Sequence, residues 1–146
     1  MTKKQNCAIV IVQLKILKGG VLLVLWNIDK SRPICPQICE HICVAITNNS
    51  IKTNEKLLSI RELAIKIGVN PNTVQKSYEI LEEKQVIRSV RGSGWYVCDN
   101  ISQAIEVVEK MKKEKAEFFI KEMKKLGFSD VDLIEYIKSN WGDKNE

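Results

Sequence analysis

Residues 58–97 read LSIRELAIKIGVNPNTVQKSYEILEEKQVIRSVRGSGWYV. Ser59 and Glu62 form S-x-x-E, in which each side chain satisfies an amide left orphaned at a helix start. The spacing therefore predicts a helix opening at Ser59, with Leu63, Ala64 and Ile67 as its buried stripe. Gly68 is the expected left-handed cap. Asn70 is a good N-cap, and Pro71 suits the first position of a second helix, where its missing amide costs nothing. Val74, Tyr78 and Leu81, with Ile80 beside them, make that helix's inner face. Residues 86–90 and 95–97 alternate as paired strands around Arg91-Gly92-Ser93-Gly94, a turn with glycines for positive φ. Two short helices across a tight glycine turn, followed by a basic hairpin, describe a winged helix-turn-helix.

In such a module the N-terminal residues of the second helix reach base edges in the major groove. Asn72, Thr73, Gln75 and Lys76 lie at the start of that helix or point outward. Amide and hydroxyl side chains there suit contacts to adenine and to phosphate oxygens. The glycine tip of the wing can approach a duplex closely, and Arg91 suits a minor groove or a phosphate.

Working outward, Pro36 marks the start of an earlier helix whose core face is Ile34, Ile38, Ile42 and Ala45/Ile46. Asn48-Asn49-Ser50 ends it, and residues 51–57 form a connecting loop. Beyond the wing, a charge-rich helix over 101–126 carries an apolar stripe of Ile101, Ile105, Val108, Met111, Phe119, Met123 and Leu126. Its Lys/Glu-rich segment 109–125 is a solvated face with i,i+4 pairs. Gly127 stops it, and Ser129 caps a last helix with Val131, Leu133, Ile134, Ile137 and Trp141 on its apolar side. A tail of this size is too small to bury that surface alone, which implies a partner subunit. The expected fold is mainly α with a small β wing, in three parts: an N-terminal extension (1–25), a winged helix-turn-helix (26–98) and a two-helix dimerisation tail (99–146).

The chain has 146 residues and a net charge of +5. Residues 24–98 carry ten Lys/Arg against seven Asp/Glu, whereas residues 99–146 carry nine against eleven. The middle, not the tail, has a claim on phosphates. Five cysteines without a regular framework fit a reducing cytosol. Residues 7–26 are apolar but interrupted by Lys15, Lys18 and Gly19-Gly20, a poor membrane span. The same segment has two readings: a β-hairpin around the glycine pair, or residues 1–23 as leader translated from a start codon upstream of the true one.

Cys35, Cys39 and Cys43 recur every four residues around His41, the one histidine. Eight helical residues span about 12 Å, and thiolates sharing a zinc must lie within about 4 Å of one another. The three cannot converge from one helix, so the expectation is core packing, with no metal and no cofactor. One histidine, no phosphate loop and no carboxylate dyad argue against an enzyme.

The sequence resembles the GntR family of bacterial transcription regulators, and within it the YtrA subfamily. The resemblance rests on Pro33-Ile34 and Gln37-Ile38, Lys56-Leu57, Ser59-x-Arg61-Glu62-Leu63-Ala64, Gly68-Val69-Asn70-Pro71-Asn72-Thr73-Val74-x-Lys76-x-Tyr78, and Arg91-Gly92-x-Gly94-x-x-Val97. It implies a cytoplasmic homodimer on a palindromic operator, repressing its own operon, often beside transporter genes. It implies that Arg61, Asn70, Asn72, Thr73, Gln75 and Lys76 face the major groove or its phosphates, and that Arg91 and Gly92 make the wing contact. The short tail matches a dimerisation element rather than an effector domain. The chain departs from the pattern at Cys35, where tyrosine is common, at Leu58 for a usual proline, and at Asn54 in a loop that is normally Pro-Gly. These departures predict a looser loop before the second helix. The competing expectation is a winged helix whose exposed helix docks a protein instead of DNA.

Overall fold

The computed structural model describes residues 26–141, together with the backbone of two three-residue strands, 15–17 and 21–23. The described residues fall into two compact units that divide after Val108.

In the first unit, β1 (Lys15–Leu17) pairs antiparallel with β2 (Val21–Leu23), Leu17 opposite Val21. These are segments of the hairpin reading; the remainder of residues 1–25 lies outside the described residues. Three helices follow: α1 (Ile34–Thr47), α2 (Ile60–Ile67) and α3 (Pro71–Glu83). The wing is β3 (Ile87–Val90) antiparallel to β4 (Gly94–Val97), with Ile87 opposite Val97. Helix α4 (Ser102–Lys125) starts in this unit, and α5 (Asp130–Trp141) belongs to the second.

Helix α1 begins two residues before the expected Pro36. Proline is tolerated throughout the first turn, because amides there have no intrahelical acceptor. Gln37, buried despite its amide, ties the chain ahead of α1: its Oε1 accepts from Asp29 N (2.9 Å) and its Nε2 donates to the carbonyls of Asp29 and Pro33. Trp26 stacks on His41, ring centroids 5.2 Å apart.

The core of the first unit joins Ile38, Ile42 and Ile46 of α1, Leu63 and Ala64 of α2, Val74, Tyr78 and Leu81 of α3, Val86, Ile87 and Val97 around the wing, and Ala104 and Val108 of α4. Burial of a dozen or more large aliphatic side chains, each worth about 1.5–3 kcal/mol, holds α3 against α1 and α2. Ser77 is the buried polar residue of α3; its hydroxyl donates to Thr73 O (2.7 Å) and lies 3.4 Å from Cys35 O, so it is satisfied at the α1–α3 contact.

Residues 51–57 are more ordered than a connecting loop. Asn54 adopts φ 61°, the left-handed conformation a glycine would supply. Asn54 N donates to Val97 O (3.0 Å), Val97 N to Glu55 O (3.0 Å) and Leu57 N to Trp95 O (2.8 Å), and Lys56 pairs with Tyr96 as an antiparallel bridge. The segment forms a third edge on the wing, so the loosening expected from Asn54 and Leu58 does not occur.

In the second unit, Ser129 and Asp132 cap α5 reciprocally: Asp132 N donates to Ser129 Oγ (3.2 Å) and Ser129 N to Asp132 Oδ2 (3.3 Å). The exposed face of α4 carries the expected i,i+4 pairs, such as Lys110–Glu114 (3.9 Å), and also i,i+3 pairs such as Lys112–Glu109 (2.6 Å). Leu133 is the buried apolar residue of this unit, while Leu126 (73 %), Val131 (72 %) and Trp141 (77 %) are largely exposed.

Candidate nucleic-acid interface

The start of α3 is built by local chemistry. Asn70 Oδ1 accepts from Asn72 N (2.8 Å), and Pro71 occupies the first helical position. Asn70 thus spends its acceptor on the cap, leaving its amide nitrogen available as a donor. No acid lies in the first turn of α3, so the positive end of the helix dipole is not neutralised from within the helix, which suits an approaching phosphate. Asn72, Gln75 and Lys76 are exposed and Thr73 is half-buried. Gln75 Nε2 donates to Glu79 Oε1 (2.7 Å), which turns the amide toward Glu79 and leaves Gln75 Oε1 as an outward acceptor.

Helix α2 ends as expected at Gly68, φ 66°, which turns the chain so that α2 and α3 pack as a pair. Its start carries the complete capping box: Glu62 N donates to Ser59 Oγ (3.3 Å) and Ser59 N to Glu62 Oε2 (2.9 Å). These bonds hold the Glu62 carboxyl below its ordinary range. Arg61, next to it, is exposed. Behind the motif, Tyr78 Oη donates to Leu58 O (2.8 Å) and the Tyr78 ring meets Trp95 edge-on (5.3 Å), joining α3 to the loop and the wing. Burial pushes the Tyr78 phenol well above its usual range.

At the wing tip, Ser93 N donates to Val90 O (2.9 Å), and Arg91, Gly92 and Ser93 are exposed. Gly92 has φ 75°. Arg88 is differently employed: its Nη2 donates to Asn54 Oδ1 (2.9 Å) and its guanidinium lies 5.9 Å from the Tyr96 ring centre, while Asn54 Nδ2 donates to Asp99 Oδ1. Glu82 Oε1 accepts from Ser89 N (2.9 Å) and Ser89 Oγ (2.6 Å), tying the end of α3 to β3.

The sequence-derived residues thus form two groups. Asn70, Asn72, Thr73, Gln75 and Lys76 share the first turns of α3. Arg61 meets the wing across a cleft of about 370 Å³, lined also by Lys56, Ile60, Ser93, Gly94 and Trp95. Arg91 and Gly92 lie in the turn that bounds the hairpin. Lys56 carries part of the family resemblance but was not among the expected DNA contacts; its place beside Arg61 depends on pairing with Tyr96, forty residues later, which local patterns do not reveal. Among the described residues, Lys56, Arg61, Lys76 and Arg91 make no ion pair, whereas the tail pairs Lys110, Lys112, Lys113, Lys124 and Lys125 with acids.

Of the cysteines of α1, Cys43 belongs to the core, Cys39 packs against it and Cys35 is half-buried outside it. Cys43 is buried and Cys39 Sγ lies 3.6 Å from Ser77 O. Burial pushes the Cys39 thiol up to about 12 and the Cys43 thiol to about 11, so both stay protonated and are poor metal ligands at neutral pH. Among the described residues no cluster of three or more His, Cys, Asp or Glu side chains has metal-site geometry, and no helix is long and apolar enough to cross a membrane.

Comparison with known proteins agrees with this geometry. Residues 36–97 match the family described as bacterial regulatory proteins, gntR family. The chain is 36 % identical over 109 residues to the HTH-type transcriptional repressor YtrA of Bacillus subtilis (strain 168), covering 74 % of this chain and 84 % of the relative. It is 34 % identical over 111 residues to the HTH-type transcriptional regulator YhcF of the same organism, covering 76 % and 92 %. Among solved structures, a GntR family transcriptional regulator from Listeria monocytogenes superposes with a TM-score of 0.66 at 39 % identity, over 76 % of this chain and 97 % of that one.

Proposed function

We propose that this chain, which belongs to the GntR family of bacterial regulatory proteins, acts as a homodimeric repressor that binds a palindromic operator. Membership makes it a DNA-binding transcriptional regulator of the helix-turn-helix type and not an enzyme. The start of α3 is the base reader: Asn72, Gln75 and Lys76 project from it, Thr73 and Asn70 lie at its first turn, and Arg61, Arg91 and Gly92 take the flanking backbone. The polar outward face of α3 favours duplex edges over an apolar protein groove. Repression is the activity named for the YtrA relative, and control of the chain's own operon follows the same resemblance.

The observation that carries the dimer is the uncovered apolar surface of the second unit. Leu133, Ile134, Ile137 and Trp141 lie on one side of α5, yet only Leu133 is buried; Phe118 and Phe119 of α4 and Leu126 in the turn after it are exposed as well. An apolar surface of that extent marks an interaction site, and a second copy of the same pair of helices supplies a matching face. Two α3 helices related by a two-fold axis would enter successive major grooves about 34 Å apart.

A gel shift of the purified chain with its own upstream region, combined with light scattering of the complex, tests this. The expected complex holds two copies per duplex and is abolished by Asn72→Ala plus Lys76→Ala. A strictly monomeric chain indifferent to that fragment at low salt sinks the proposal.

A further inference from the structure

The cleft between the start of α2 and the wing holds a cation that the helix-turn-helix pattern does not account for. Lys56 is fixed at its backbone by the bridge to Tyr96 and by the flanking bonds from Val97 N to Glu55 O and from Leu57 N to Trp95 O. Its stem lies along the wing: Cε is 3.1 Å and Nζ 3.8 Å from where a Cβ on Gly94 would stand. A side chain at Gly94 would displace that stem, so the glycine, at φ 122°, keeps the lysine flat against β4.

The ammonium so placed makes no ion pair among the described residues. Glu62, the acid whose carboxyl feels its charge, is committed to capping Ser59 N. The capping box already occupies Ser59 N and Glu62 N at the start of α2, so an anion entering the cleft is received chiefly by side chains. Lys56 and Arg61 supply two positive charges against the one carboxylate of Glu62, Ser93 a hydroxyl shared with Tyr96 Oη, and Trp95 and Ile60 an apolar floor. A unit with one anion beside a small, largely apolar ring fits that lining, which is the chemistry of a phosphate and its deoxyribose.

We propose that Lys56 grips one backbone phosphate of the operator between α2 and the wing, with Arg61 on the neighbouring one, while the adjoining sugar rests on Trp95. The inference rests on the DNA-binding reading above and adds a positioning contact to it. A phosphate held here sets the register of α3 in the groove without itself selecting sequence.

Lys56→Met keeps the stem that packs on Gly94 and removes the charge; Lys56→Arg restores the charge. Both variants of the full chain are titrated against an operator fragment over a range of salt, with thermal unfolding as a control on the fold. For Lys56→Met the slope of log affinity against log salt becomes shallower by about 0.9 per copy, or about 1.8 for a dimer. Affinity falls alike on operator and unrelated duplex, the ranking of operator variants stays the same, and Lys56→Arg recovers the slope. A duplex carrying a single uncharged methylphosphonate at the contacted position weakens the parent protein but not Lys56→Met. An unchanged slope for Lys56→Met, beside a parent that binds with steep salt dependence, overturns the Lys56 assignment alone. A parent protein that does not bind the operator removes the regulator reading and this inference together.

Discussion

Salt is the sharpest probe of how this molecule meets DNA, because its unpaired cations can be counted. Lys56 and Arg61 sit in the cleft, Lys76 in the second turn of α3 and Arg91 at the wing tip, and among the described residues none has a carboxylate partner. Four such groups per copy make eight for a dimer, and each phosphate neutralised contributes about −0.9 to the slope of log affinity against log salt. The expected slope is therefore about −7, which lowers affinity by about four orders of magnitude between 50 mM and 200 mM salt. Fluorescence anisotropy with a labelled operator at six or so salt concentrations in that range measures it. The tail is left out of the count because its acids outnumber its lysines, five of which are paired with Glu109, Glu114, Glu117, Glu122 and Asp130. A slope shallower than about −2 would mean that these cations do not face the duplex.

Three further outcomes follow from other parts of the structure. Tyr78→Phe removes the hydroxyl that donates to Leu58 O at 2.8 Å from a side chain only 1 % exposed; loss of about 1 kcal/mol should lower the melting midpoint by about 4–8 °C for a unit of this size, and calorimetry showing no change would refute that tie. Ile137→Asp puts a charge on the apolar side of α5; sedimentation should show monomers with operator binding weakened at least tenfold, whereas an intact dimer would place the interface elsewhere. Glu62 has a folded-state pKa lowered from 4.5, so its stabilisation is present above the ordinary carboxylate value and is lost as pH falls through the lowered one. Ser59→Ala should cost about 1 kcal/mol at neutral pH and flatten the acid side of the stability curve; equal acid sensitivity in parent and variant would show that the capping box does not couple to Glu62 ionisation.

The elements that sequence alone revealed are those whose causes are local. Ser59 with Glu62, Asn70 with Pro71, and Ser129 with Asp132 each settle a helix start within four residues, and Gly68 settles a helix end by its own φ. Burial of Val74, Tyr78 and Leu81 on one side of α3 followed from helical spacing for the same reason. What stayed hidden depends on partners far along the chain. Ser77 is buried where α3 meets α1, its hydroxyl 3.4 Å from Cys35 O, forty-two residues earlier. The start of α1 was displaced because a proline is accepted at any position of a first turn, so Pro36 locates the turn but not the first residue.

The loop before α2 shows how this difference bears on function. Its local composition, with Asn54 and Leu58 in place of the family's turn residues, predicts slackness, yet Asn54 takes the left-handed conformation and three backbone bonds fasten the segment to β4. The Tyr78 hydroxyl on Leu58 O and the two bonds from Ser89 to Glu82 complete a chain of ties from α3, through the loop, to both strands of the wing. None of these ties touches DNA in the proposed arrangement, but together they fix the wing relative to the reading helix. A backbone contact at Lys56 or Arg91 can set the register of Asn72 and Gln75 only if the parts between them are rigid. The long-range bonds that sequence patterns could not supply are thus the ones that let a phosphate contact on the wing decide where α3 sits.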